Sequence, residues 1–151
     1  MGRALVFAAV GAVLLVLPAS AQAGFRINRS MEAIRLGMSQ AEVRERLGRP
    51  GRRELGPDFV NWRYRRPAME LSFKPRVITL FTRSPFIRGR QDIGVGTHER
   101  RLTRVVPRVE CDSAEGQRLC VVGGFDTGER STVFVMRRRQ VTSITISIST
   151  P

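Results

Sequence analysis

Lysine is nearly missing from this chain. Lys74 is the one lysine among 26 basic residues, and so uniform a replacement by arginine reads as genome-wide codon bias rather than as selection for bidentate phosphate contacts. Histidine occurs once, at position 98, and cysteine twice, at 111 and 120. Those three side chains cannot complete a tetrahedral zinc site without carboxylates, so neither a metal nor a cofactor is expected. Gly94-Val95-Gly96 lacks the third glycine of a dinucleotide fingerprint, and there is no nucleophile motif, so the sequence argues against an enzyme. The longest apolar run, Ala4 to Leu17, has 14 residues and falls short of the roughly 20 that cross a hydrocarbon core.

That short run instead has the layout of an export signal. Arg3 supplies a basic start, Pro18 ends the apolar stretch, and Ala21-Gln22-Ala23 offers small side chains to a signal peptidase, with cleavage expected between Ala23 and Gly24. No cysteine lies near the junction, which argues against lipidation there. If cleavage fails, residues 4–23 are uncharged and would stay as a membrane anchor. Otherwise 128 residues remain, in a secreted or periplasmic setting, enough for one domain or for two small modules sharing a core. In an exported chain a Cys111–Cys120 disulfide is the economical expectation for two cysteines nine positions apart. The formal charge of +13 favours anionic neighbours such as wall polymers or lipid head groups, with binding that weakens as salt rises.

Local signals are clearest between residues 35 and 50. Ser39 with Glu42 three positions later spells a capping box, Met38 and Val43 occupy the positions of a hydrophobic staple, and Gly48 and Pro50 supply a stop. Ahead of this helix, Ser30 is expected to start a shorter helical turn through Met31 and Ile34. Afterwards the pattern has period two: Val60, Trp62 and Tyr64, then Met69, Leu71 and Phe73, then residues 77–82. The sequence then begins again. Gly37 falls on Gly96, Val43 on Leu102 and Leu47 on Val106 at an offset of 59; residues 70–73 are echoed by 132–135 at 62, and 77–81 by 141–145 at 64. The predicted architecture is α+β, with short helices packed on antiparallel sheet in two tandem modules, residues 24–88 and 89–151.

A helix introduced by Leu36-Gly37-Met38-Ser39, continued by Glu42-Val43, closed by Leu47-Gly48-Arg49-Pro50 and followed by antiparallel strands resembles the BamE/SmpA group of small envelope proteins. It is also similar to the β-lactamase-inhibitor-protein fold. The resemblance rests mostly on residues 34–50, with residues 93–149 as a weaker second copy. It implies a non-catalytic module that binds other proteins across its sheet or loops, and it carries over no catalytic residue.

Three groups of side chains merit separate weighing. Asp126-Thr127-Gly128 matches an aspartic protease tripeptide but occurs once, and beside Gly123-Gly124 it reads as a turn. His98 stands where the second helix begins, with Thr97 the other candidate cap, and reads as a capping or exposed histidine. Arginine is the stronger feature: residues 24–91 hold 16 basic against 6 acidic side chains, residues 92–151 hold 9 against 7. Arg63, Arg65 and Arg66 interleave with Trp62 and Tyr64, while Arg137, Arg138 and Arg139 are expected at a hairpin tip. These six are the expected partner or anion contacts. For Arg63, Arg65 and Arg66 a solvated strand face opposite a buried aromatic one predicts the same alternation and is the favoured reading. The expected role is that of a secreted scaffold or binding protein of the cell envelope, its partner another envelope protein or an anionic envelope polymer. Nucleic acid is not favoured, and no small-molecule substrate is expected.

Overall fold

Met31 and Ile34 have the spacing of neighbours on a helix, but the chain brings them together differently. In the computed structural model, which describes residues 24–151, strands β1 (Phe25–Arg26), β2 (Ser30–Met31) and β3 (Ile34–Arg35) form a small antiparallel sheet. Met31 and Ile34 are cross-strand partners, joined through Glu32 at φ 53°, and both are fully buried. The helical turn expected from Ser30 is therefore a hairpin. A two-residue turn sets positions i and i+3 side by side just as a helix does, so spacing alone did not separate the two.

The capping box forms as its spacing requires. Ser39 Oγ accepts from the Glu42 N–H at 3.2 Å, and the Glu42 carboxylate accepts from the Ser39 N–H at 2.7 Å. Helix α1 runs Gln40–Leu47, with Met38 and Val43 buried beside its first turn. It stops at Gly48, whose φ of 73° costs glycine nothing and whose N–H reaches Arg44 O.

Four strands follow, β4 (Arg52–Leu55), β5 (Val60–Arg65), β6 (Ala68–Phe73) and β7 (Val77–Thr82), then a 3-10 turn at Arg90–Asp92 and helix α2 (Glu99–Val105). The chain ends in β8 (Glu110–Ala114), β9 (Gln117–Gly123), β10 (Arg130–Arg137) and β11 (Gln140–Ile148). All eight longer strands make one antiparallel sheet in the order β4-β5-β6-β7-β11-β10-β9-β8. The two four-stranded meanders meet at β7 and β11, where Leu80 pairs with Ile146 and Thr82 with Ile144. Both helices and the small sheet cover one face. On it Trp62, Leu71, Phe73, Leu80, Phe134, Cys120 and Ile146 join Val43 and Leu102 in a continuous core. The protein is thus α+β and mostly strand, and among the described residues no helix is long and apolar enough to cross a membrane.

The offset of 59 has a structural counterpart. Gly37 N–H donates to Val77 O at 2.8 Å and Val77 N–H to Met38 O at 2.8 Å; Gly96 N–H donates to Val141 O at 2.7 Å and Val141 N–H to Thr97 O at 2.9 Å. Gly37 and Gly96 both have positive φ, 86° and 89°. Each half thus ties the approach to its helix onto the first residues of its last strand. The offset of 62 between β6 and β10 needs correction to 63. It sets Leu71, on the helix side, against Val133 on the other side, whereas 63 matches Leu71 to Phe134 and aligns the register shifts at Ser72/Phe73 and Val135/Met136. A slip of one residue turns every side chain to the other face.

Cys111 and Cys120 form the expected disulfide, as direct cross-strand partners of β8 and β9. The expected signal segment and the Ala23 side of its expected cleavage site lie outside the described residues.

Candidate binding surface

The second face of the large sheet carries no helix among the described residues. Register places one row of side chains across all eight strands there: Arg52, Arg63, Glu70, Phe81, Thr145, Val133, Val121 and Glu110. A neighbouring row brings Ser72, Thr79, Ser147 and Ser131 together, with Ser131 Oγ 3.0 Å from Ser147 Oγ. The face is divided. Its β4–β6 half is charged, with Arg52 paired to Glu54 at 2.8 Å and Arg63 to Glu70 at 2.9 Å. Its β9–β10 half is aliphatic: Leu119 lies opposite Val135 and Val121 opposite Val133, each only partly buried. An antiparallel sheet usually turns polar residues to water on its uncovered face, so this two-by-two patch is a departure.

Arg63 and Arg65 alternate with buried Trp62 and Tyr64, so the arginines stand on the uncovered face and the aromatics in the core. Arg44 of α1 lies 5.1 Å over the Trp62 ring, and the Tyr64 hydroxyl donates to Gly48 O at 3.1 Å, so this face of β5 is fully engaged by α1. Arg63, Arg65, Arg66 and Arg83 line a shallow groove of about 790 Å³ with Phe81 and Phe86. Arg83 stacks 5.3 Å above Phe81, and Phe86 is 90% exposed. Arg138 and Arg139 form the two-residue turn between β10 and β11, both at positive φ, with Arg137 at its base. Glu70 pairs with Phe81 and Ile144 with Thr82, so the β5–β6 and β10–β11 hairpins leave the sheet at the same end. Arg65, Arg66 and Arg137–Arg139 thus lie toward one end, on hairpins separated by β7, while Arg63 stands in the row that crosses all eight strands.

The residues weighed for chemistry take structural places. His98 caps α2, its Nδ1 accepting from the Arg100 N–H at 3.2 Å. Asp126 sits in the β9–β10 turn at the opposite end of the sheet, its carbonyl accepting from the Glu129 N–H at 2.8 Å. Glu99, in the first turn of α2, accepts from Arg118 Nε at 3.0 Å through both oxygens, and those hydrogen bonds hold its carboxyl below the usual range. Glu99 also approaches both cysteine sulfurs, but sulfurs bonded to each other offer no thiolate for a metal.

Leu119, Val121, Val133 and Val135 were not singled out from the sequence. The signal was there in Val133-Phe134-Val135-Met136, an unbroken apolar run which in a strand means that both faces avoid water.

No family model matches the chain, and no curated protein matches it. A solved structure does: an extracellular protein containing a SCP domain from Bacillus anthracis str. Ames, 9% identical, with a TM-score of 0.57 over 75% of this chain and 44% of that one. The chain spans less than half the length of that protein, and at this identity the likeness is one of fold.

Proposed function

We propose that this chain is a non-catalytic binding protein of the cell envelope, built from two tandem BamE/β-lactamase-inhibitor-like modules, which holds a protein partner on its uncovered sheet face. The observation that carries this reading is the Leu119, Val121, Val133 and Val135 patch, apolar on the face that no helix covers among the described residues. Phe81, one strand beyond Thr145 in the same row, extends it toward the arginine-rich half. The partner that fits is a protein surface with an apolar centre and acidic residues at the end facing Arg65, Arg66 and Arg83. Apolar centres supply affinity and charged rims supply orientation and rate of encounter. The disulfide supports an extracytoplasmic setting, where such bonds persist. The doubled Gly37–Val77 and Gly96–Val141 hydrogen bonds support the tandem arrangement.

Site-specific photocrosslinking in the native host tests the reading. A photoreactive residue at Val121 should give a discrete adduct that survives 0.5 M salt and disappears with Val133→Arg, while the same residue at Glu45 on α1 gives none. Equal adducts from both positions would refute it. An adduct lost at 0.5 M salt but indifferent to Val133→Arg would point instead to a polyanion held by Arg63, Arg65 and Arg66.

A further inference from the structure

Arginines are crowded in a second place, away from the six singled out by sequence. A cleft of about 670 Å³ lies among β1, the β2–β3 hairpin, the C-terminal turn of α1 and the segment 88–90. Arg26, Arg29, Arg35, Arg46, Arg88 and Arg90 line it, and Glu32 is its single acidic residue. Arg88 is engaged already, by the Asp92 carboxylate at 2.8 Å and by Val95 O at 2.8 Å. The other five form no salt bridge among the described residues; Arg46 reaches only Ala33 O, at 3.4 Å. The first 23 residues contain no Asp or Glu, so they offer these five no carboxylate either. Glu32 is one acidic group against these five, so the cleft keeps a surplus of positive charge.

The cleft is also a built one. Phe25 N–H donates to Arg88 O at 3.1 Å, locking β1 to the opposite wall, and a Cβ on Gly89 would stand 2.8 Å from the Phe25 ring. Asn28 clamps the β1–β2 turn to β10: its N–H donates to Thr132 Oγ1 at 2.7 Å, and Thr132 is fully buried. These five exposed guanidinium groups, none in a salt bridge among the described residues and carried on two walls tied to each other, make the cleft positive and favour an anion among them.

We propose that this cleft binds a phosphoryl-bearing polyvalent anion, whether a soluble polyphosphate or the phosphodiester of a lipid or polymer head group. Guanidinium forks match phosphoryl oxygens two at a time, and the volume suits a ligand of several such groups. The inference does not depend on the sheet-face reading, because the cleft lies on the helix-covered side and uses none of the same residues.

Calorimetric titration of the purified protein with tripolyphosphate at low salt tests it. One site per chain is expected, with affinity at least tenfold weaker in Arg26→Gln/Arg29→Gln/Arg35→Gln and nearly unchanged in Arg137→Gln/Arg138→Gln/Arg139→Gln, which removes the same charge elsewhere. Equal weakening in the two variants, or no saturable binding, would overturn it. In case the first variant fails to fold, phenylglyoxal labelling of the unaltered protein gives a second readout. Tripolyphosphate should protect Arg29 and Arg90 but not Arg137–Arg139 in peptide mass maps, and uniform protection would count against the site. Vesicles of phosphatidylglycerol against phosphatidylcholine separate the sources. Binding to the anionic vesicle that tripolyphosphate displaces assigns a lipid head group, and tripolyphosphate binding without vesicle binding assigns a soluble anion.

Discussion

Phe134→Ala should lower the unfolding temperature reported by Trp62, although the two residues sit in opposite halves of the chain. Phe134 lies on β10, fully buried, edge-on to Phe25 with ring centroids 6.1 Å apart. Trp62 lies on β5, fully buried against Phe73, and is the chain's one tryptophan, so its fluorescence belongs to the first half alone. Register joins them: Trp62 faces Leu71, Leu71 faces Leu80, Leu80 faces Ile146, and Ile146 stands two residues from Ile144, the partner of Phe134. Truncating a buried phenylalanine to alanine costs about 3 to 5 kcal/mol. At about 2.1 cal/mol/K per residue, the unfolding entropy of a domain this size is roughly 270 cal/mol/K, so the transition falls by about 11 to 18 °C. The assay is thermal unfolding followed in parallel by Trp62 fluorescence and far-ultraviolet circular dichroism, with Phe134→Leu as a milder variant expected to move both by about 4 °C. The two signals should shift together. A Trp62 transition that stays in place while the dichroism splits in two would refute a shared core and make the halves independently stable modules.

Glu99→Gln probes the α2–β9 ion pair. The folded-state pKa of Glu99 lies below its ordinary value, so its contribution is present above the unfolded pKa, about 4.3, and is lost as pH falls through the folded one. The variant should have a lower urea midpoint than the parent at pH 6 to 7, and the two midpoints should converge as pH drops below about 4; a constant gap from pH 3 to 7 would count against the pair. Ser39→Ala removes the α1 cap and should cost about 1 kcal/mol, or about 4 °C, with Ser39→Asp keeping most of the stability; equal melting of all three proteins would show that the box observed at Ser39 and Glu42 contributes nothing.

Much of this fold was legible because some signals are local and redundant. At α1, cap, box, staple positions and stop agree between Met38 and Pro50; the cap and box form, the helix stops at Gly48, and Met38 and Val43 are both buried. At α2 the local cues are poorer: the offset of 59 places a helix start at Thr97 or His98, and His98 is the residue that caps. What escaped notice has a common cause. Strands β4 and β8 are solvent-exposed along almost their whole length, so they bury no alternating apolar face and leave no period-two trace. They form because β5 and β9 present unpaired edges, a fact of tertiary structure. The β2–β3 hairpin was mistaken for a helical turn because Met31 and Ile34 satisfy both geometries. The six flagged arginines were found by clustering along the chain, whereas Arg26, Arg29, Arg35, Arg46 and Arg90 are scattered in sequence and meet only after folding.

The features that the two four-stranded meanders share separate what the fold demands from what it leaves free. Features that recur are those a helix on a four-stranded meander needs: a positive-φ glycine before the helix, paired hydrogen bonds to the last strand, a buried residue in the first turn, a bulge in the third strand. At the place of Trp62, opposite the third strand, the second half has Cys120, so a disulfide to the edge strand stands where an aromatic filled the core. The uncovered face does not recur at all. Arg52 and Arg63 precede Glu70 on one side of its central row, while Val133 and Val121 precede Glu110 on the other. A sheet would fold as well with either composition on its solvent side, and burial of the other face already fixes its register. Packing therefore does not explain that asymmetry; under the proposed function the aliphatic half meets the centre of a partner and the charged half orients it.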